Sequence, residues 1–249
     1  MERKLGGVPV MIMTIILAGL GFFLRHTQLQ TAFDAIGVIP GSKMTLIWVS
    51  VFVVLLFVAM SFLLRNRKKY QSLASTRPLP LAGGCAAGIL LAVDSVLLLI
   101  ANSQKVDLVI GLGGVAAAAC WIGVSVLRYR GAKAHAALYL VPVVFFVVEL
   151  VCRFRFWTRD PVILDYCFDL LALISSMCGL LHLSAYCFDQ GARRITVFFA
   201  LCGIYFSAGA MAGASAEMLL GYLAAAIWLL VQLWLLLRPM PRKSRGEEE

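Results

Sequence analysis

Apolar residues dominate runs of about 20 positions along the chain, and polar clusters separate one run from the next. A helix needs about 20 apolar residues to cross a hydrocarbon layer of roughly 30 Å. Backbone groups inside that layer must bond within their own segment, which a helix achieves. The pattern therefore predicts an all-α, polytopic integral membrane helix bundle of about eight transmembrane helices. The predicted spans are 8–25, 45–64, 81–101, 107–127, 136–153, 161–186, 195–213 and 215–237.

The composition supports the same interpretation. Of the 249 residues, 61% are apolar and only 14% are charged, whereas soluble domains are about half apolar and a quarter charged. No stretch between the spans is long enough to bury a core of its own. We therefore predict a single transmembrane domain over residues 1–249, ending in a short cytoplasmic tail at 238–249. An attached kinase, ATPase or DNA-binding module is excluded.

The distribution of the basic residues predicts the orientation of the chain. If eight spans alternate in direction, 16 of the 22 Lys and Arg residues fall on one side. Short basic loops mark the cytoplasmic side, so both termini are predicted to be cytoplasmic. The net charge of +9 is thereby explained without nucleic acid. The expected partner is the lipid bilayer. The expected location is the cell membrane, and specifically a bacterial plasma membrane. The opposite side keeps Arg25, Lys43, Lys105, Arg153, Arg155 and Arg159.

Four acidic residues lie at least four residues inside the ends of predicted spans, where each costs about 2.5–3.5 kcal/mol to insert, and Glu217 lies at the mouth of the eighth span. Asp94 belongs to the third span, Glu149 to the fifth, and Asp165 and Asp169 to the sixth. With a rise of about 1.5 Å per residue, all four lie in the outer half of the bundle. The sequence therefore predicts an outward-facing polar pocket lined by the third, fifth and sixth helices.

The spacing of the charged residues predicts local partners. Arg153 follows Glu149 by four residues, which places the two side chains on one helix face as a pair. Asp165 and Asp169 are also four apart and repel each other when both are ionised, so a proton or cation is expected between them. The candidate substrate- or ion-binding residues are Asp94, Glu149, Arg153, Asp165 and Asp169. Alternatively, these charges only satisfy one another and hold the fifth and sixth helices together.

Known catalytic and metal-binding patterns are missing from the sequence. It contains neither an H-E-x-x-H zinc motif nor a G-x-S-x-G nucleophile turn. The glycine-rich run at 111–114 lies inside an apolar span and lacks the strand and Lys of a phosphate-binding loop. Cys178 and His182 share a helix face, but two ligands are too few for a metal site. We predict no metal, no cofactor and no set of catalytic residues.

Three classes of function remain open. The first is a small permease or transporter-type subunit, whose acidic residues bind a small cation or polar solute or carry protons. The second is a membrane scaffold or sensor that acts through other membrane subunits, with the basic 65–77 loop or the C-terminal tail as docking site. The third is an intramembrane enzyme acting on a lipid-linked substrate. Acids on several helices at similar depth favour the first class, and the lack of a catalytic signature disfavours the third.

Overall fold

The chain forms a bundle of helices. The computed structural model describes residues 7–31, 42–64, 69–70, 73, 75–101, 105–157 and 166–238. Within these ranges the regular secondary structure is helical, without strands, and eight helices are long and apolar enough to cross a membrane. The last helical turn before α7 is a 3-10 turn at Ala185–Phe188. The helices are α1 Gly7–Thr31, α2 Ser42–Leu63, α3 Pro78–Ala101, α4 Lys105–Tyr129, α5 Ala137–Trp157, α6 Cys167–Ser184, α7 Arg193–Met211 and α8 Ala216–Leu237.

Most helix ends agree with the predicted spans to within a few residues, but α1 is longer. It continues to Thr31, whereas the span was predicted to end at Arg25. Side chains in its polar last turns bond to each other along the helix: Arg25 Nη1 donates to Gln28 Oε1 at 3.3 Å, and Gln30 Nε2 lies 2.9 Å from His26 Nε2. Pairs at these spacings stabilise a helix, so the polar sequence does not end it.

The ends of α5 and α6 concern the predicted site directly. α5 extends to Trp157, so Arg153 lies within the helix and not at its end as predicted. Side chains at positions 149 and 153 are therefore held on the same face by continuous helix. α6 begins at Cys167, and its predicted start at 161 lies outside the described residues.

The outer surface of the bundle is apolar, and polar side chains lie inside it. Phe52 and Val151 are 66% and 64% exposed, whereas Thr14, Ser207 and Gln232 are fully buried. Soluble domains normally avoid large exposed apolar patches. The surface therefore suits an apolar surrounding, and the polar groups of the bundle must find partners within it.

Small residues allow the inner helices to approach closely. α7 is buried on nearly all sides by α1, α2, α6 and α8, and its Gly209 lies directly against the ring of Phe168. On α3, Gly84 lies against Ser125 and Gly88 against Ile122, so this G-x-x-x-G motif packs α3 on α4. The motif therefore works within the chain, as close small-residue contacts do in other membrane bundles.

Contacts between helix ends show that α1 and α3 run antiparallel to α8. A Cβ atom on Gly7, at the start of α1, would lie 3.0 Å from Leu237 Cβ at the end of α8. At the opposite end of the bundle, α3 approaches the beginning of α8, where Gly221 contacts Asp94. We call this second end the carboxylate end and the first the arginine end. The carboxylate end is named for Asp94, Glu149 and Asp169, and the arginine end for Arg128, Arg193 and Arg238.

Asp189 joins three connections at the arginine end. It follows the 3-10 turn, and its φ of 56° is tolerated by Asp better than by most residues. Its Oδ1 accepts the Tyr70 backbone N–H at 2.7 Å, and its Oδ2 lies 3.0 Å from Lys133 Nζ. The Tyr70 hydroxyl in turn accepts the Ala134 backbone N–H at 2.9 Å. The Tyr70 N–H, followed by Lys133, holds the pKa of Asp189 below its usual value.

Candidate functional site

Two of the predicted acids line one small cavity near the carboxylate end, which we call the acidic cavity. The centre of a water molecule can occupy about 10 Å³ of this cavity, which is room for about one water molecule. Helices α3, α5, α6 and α8 form its walls. Its lining residues include Asp94, Glu149, Gly221, Tyr222 and Phe146.

Asp94 of α3 is held against the backbone of α8. The Gly221 N–H donates to Asp94 Oδ1 at 2.9 Å. A Cβ atom at position 221 would lie 2.9 Å from Asp94 Oδ2, closer than real Cβ contacts allow. Glycine at this position therefore lets the carboxyl group reach the helix backbone, which fixes its place in the cavity wall.

Glu149 and Arg153 form the local pair that their spacing predicts. Arg153 Nε and Nη2 lie 2.8 and 2.7 Å from the same oxygen, Glu149 Oε1. Both side chains are only 11% exposed. A buried carboxylate and guanidinium this close compensate each other, and the removal of one leaves the other as an uncompensated buried charge.

Asp169 of α6 reaches the same region through a tyrosine. The buried Tyr222 hydroxyl donates to Asp169 Oδ1 at 2.7 Å, and Tyr222 also lines the acidic cavity. Asp169 further interacts electrostatically with Arg25 of α1, whose guanidinium lies 5.5 Å from the centre of the Phe168 ring. The polar surface thus runs from the cavity through Tyr222 to a third carboxyl group.

The charges at the carboxylate end form one connected cluster. Besides its pair with Glu149, Arg153 interacts electrostatically with Asp94 and with Tyr222. Three carboxyl groups and two guanidinium groups, those of Arg153 and Arg25, therefore act on one another across α1, α3, α5 and α6. Such a network holds its members in fixed positions.

The structure brings together most of the predicted site and adds a helix to it. Asp94, Glu149 and Arg153 lie around or beside the cavity, and Asp169 is joined to it by Tyr222. Asp165 lies outside the described residues. The prediction named the third, fifth and sixth helices as walls and missed α8. The sequence feature that could have pointed to α8 is Tyr222. Its hydroxyl group belongs to a residue six positions after the start of this apolar helix, at the depth of the acids.

The described residues around these acids offer no set of metal ligands. Among the described residues, no group of three or more His, Cys, Asp or Glu side chains is placed to hold a metal ion. The His182 ring stacks on Phe199 at a centroid distance of 5.5 Å. The chemistry available at the carboxylate end is therefore that of carboxyl groups, guanidinium groups and a phenol.

An aromatic layer closes the acidic cavity on the side of the arginine end. Phe146, in the cavity wall, packs on Trp121 at 6.3 Å between ring centroids. Trp121 of α4 stacks on Trp228 of α8 at 4.9 Å and 4°. Both indole N–H groups are buried without a hydrogen-bond partner. Aromatic side chains therefore fill the described interior of the bundle at this layer.

Comparison with known proteins does not assign this chain to a family. No family model, no curated protein and no solved structure matches the chain. Function must therefore be inferred from the chemistry of the site itself.

Proposed function

We propose that the chain is a multi-pass protein of the cell membrane, with both termini and the arginine end on the cytoplasmic side. The apolar outer surface of the bundle, and the length and apolar character of its eight helices, support insertion into a bilayer. The concentration of basic residues in alternate connections supports the orientation. The carboxylate end then faces the outside.

Within that setting, the protein is a small permease or transporter-type subunit whose acidic cavity takes up and releases protons. One observation carries this proposal. Asp94 and Glu149, from two different helices, share a water-sized cavity from which Tyr222 leads to Asp169. Acidic residues within membrane spans are expensive to insert and commonly serve as proton relays.

The size and ligands of the cavity favour a proton over the other cargoes considered. Pockets for organic ligands are typically about 300–1,000 Å³, whereas this cavity has room for about one water molecule. Divalent metal cations such as Ca²⁺ and Mg²⁺ take about six or more oxygen ligands, and the described acids do not form such a set. A proton needs only an acceptor and a water molecule.

The test is proton flux in vesicles that contain the purified protein. A K⁺ diffusion potential drives protons inward, and a trapped pH-sensitive dye reports them. The orientation is measured in the same vesicles from cysteine-free variants carrying Ser215→Cys or Gln190→Cys, which place a thiol at an exposed position of the carboxylate or arginine end. In intact cells, an impermeant reagent should label only the former.

Asp94→Asn and Asp169→Asn should each lower the flux by roughly tenfold or more, because the carboxyl proton carrier is lost. Both changes keep the shape of the side chain. Asp107→Asn is the matched control, since Asp107 lies in the first turn of α4 and does not line the acidic cavity. It should keep wild-type flux. The proposal fails if wild-type vesicles acidify no faster than empty ones, or if all three variants behave alike.

Two other results would select the alternative classes. Suppose that cells carrying Asp94→Asn or Asp169→Asn behave like wild type, whereas cells in which residues 238–249 are deleted behave like cells without the protein. The chain is then a scaffold or sensor. If Arg155→Ala lowers turnover of a phosphorylated lipid and no flux is found, it is an enzyme. Each of these outcomes contradicts the proton proposal.

A further inference from the structure

A second polar centre lies at the arginine end, around Arg128. This residue is only 4% exposed. Its Nε and Nη2 donate to the Tyr139 hydroxyl at 3.0 and 2.5 Å, and its Nη1 donates to Gln232 Oε1 at 2.6 Å. Both partners are neutral at pH 7. Within the described part of the chain, no carboxylate contacts this guanidinium.

A guanidinium stays charged in proteins, so burial cannot neutralise it. An uncompensated buried charge costs several kcal/mol. Arg153 at the carboxylate end avoids this cost through Glu149. Each nitrogen of the Arg128 guanidinium makes one hydrogen bond, but its positive charge lacks a counter-charge from the described residues.

A cavity adjoins this guanidinium and presents further donors. We call it the arginine cavity; its volume of about 10 Å³ again corresponds to about one water molecule. Gln232 lines it and is fully buried. Because Arg128 occupies Gln232 Oε1, the amide nitrogen of Gln232 is the remaining group, and it has no hydrogen-bond partner. A buried unpaired donor of this kind costs about 1–3 kcal/mol.

The rim of the arginine cavity is also rich in donors and positive charge. Ser75 Oγ accepts from Arg238 Nη1 at 3.0 Å and from the Arg77 backbone N–H at 3.4 Å. Its own proton is therefore directed elsewhere. Arg238 and Arg77 bring two more guanidinium groups to this side. Clefts lined by one sign of charge concentrate ions of the opposite sign.

We propose that the arginine cavity binds one chloride ion, which supplies the missing negative charge beside Arg128. Three features select this ligand. The cavity is small, which favours a monatomic anion over a larger tetrahedral oxyanion. One buried guanidinium calls for a single negative charge. The unpaired amide N–H of Gln232 provides a neutral donor to a spherical ion. The site lies at the opposite end from the acidic cavity, and it does not depend on the proposed proton function.

The test is thermal unfolding of the full-length protein in a non-ionic detergent at constant ionic strength. Chloride or bromide replaces gluconate stepwise, and tryptophan fluorescence reports unfolding. A ligand that binds only the folded state raises its stability in a saturable way. We expect a Tm rise of roughly 2–4 °C with either halide and none with phosphate.

Three variants assign the effect to this cavity. Arg128→Gln removes the charge, and Gln232→Met removes the donor while it leaves the charge in place; both should abolish the halide response. Arg194→Gln is the matched control, because Arg194 lies at the same end and donates to the Leu64 carbonyl outside the cavity. It should retain the full response.

The proposal is overturned if wild-type stability is equal in chloride and gluconate. It is also overturned if phosphate stabilises the protein as well as chloride does. If Arg128→Gln fails to fold, Gln232→Met decides alone: a response that persists in it contradicts the site.

Discussion

The two ends of the bundle contain cavities of similar size but opposite electrostatic character. At the carboxylate end, Glu149 compensates Arg153 inside a network of acids. At the arginine end, Arg128 is hydrogen-bonded only to neutral groups. Both cavities lie along α8, since Gly221 lines one and Gln232 the other, about 16 Å apart along the helix. The comparison teaches that satisfied hydrogen bonds and satisfied charge are separate requirements, and that removal of a charge has different consequences at the two ends.

The largest expected difference concerns loss of a charged partner. Glu149→Leu should lower the free energy of unfolding by about 3–5 kcal/mol, because it leaves Arg153 buried without its carboxylate. The double variant Glu149→Leu, Arg153→Met should regain most of this loss. Arg128→Met in chloride-free buffer leaves only neutral groups behind and should cost at most about 1–3 kcal/mol.

The measurement is equilibrium unfolding of each variant in mixed detergent, and the double-mutant cycle gives the coupling energy between Glu149 and Arg153 directly. Equal stability of the single and double variants at Glu149 and Arg153 would mean that water already compensates the pair. The distinction between the two ends would then disappear.

A smaller effect is expected where α3 meets α8 at the carboxylate end. Gly221→Ala should displace the Asp94 carboxyl group and cost about 1 kcal/mol through the lost hydrogen bond. Gly123→Ala is the control, because no atom lies within 4 Å of a Cβ placed there. It should change stability by less than about 1 kcal/mol, in the stabilising direction. An identical change in unfolding free energy for the two glycine variants would show that the contact at Asp94 does not contribute to stability.

The smallest effect is expected at exposed Asp189 of the arginine end. Its pKa in the folded protein is lowered by the Tyr70 N–H and by Lys133, so its charged form stabilises the fold above the unfolded-state pKa of about 3.9. This contribution is lost as the pH falls through the lowered folded-state pKa. Asp189→Asn keeps a side chain that tolerates a positive φ.

The measurement is the difference in unfolding free energy between wild type and Asp189→Asn as a function of pH. The difference should be positive near neutral pH and should vanish in acid, below the folded-state pKa. A difference independent of pH would assign the contact to the hydrogen bond alone and not to the charge.

The sequence was sufficient where the relevant information is local. Apolar run lengths predicted the eight helices, and a spacing of four predicted the pair of Glu149 and Arg153. The sequence did not predict which helices are neighbours, so it missed Tyr222 and Gly221 on α8. Side-chain bonds in the polar turns at the end of α1 kept it helical, which buried Arg25 where a helix end was predicted.

Arg128 illustrates the same limit at the other end of the bundle. A basic residue at the end of an apolar span was interpreted as part of the cytoplasmic orientation signal. Its burial depends on Tyr139 and Gln232, which come from α5 and α8. Contacts between distant segments of the chain are not encoded in the hydropathy of any one segment, so the charge looked solvent-accessible.

The stacked indole rings of Trp121 and Trp228 have a consequence for the kinetics of the proposed proton transport. The rings lie between the levels of the two cavities in the described interior, so a charge crossing from one cavity to the other would have to pass a layer of apolar ring faces. Under the proposed proton function, passage would then require α4 and α8 to rearrange, and such motions take on the order of microseconds to milliseconds. Rates should accordingly level off at a high driving force, as for a carrier, and should not grow in proportion to voltage, as through an open pore.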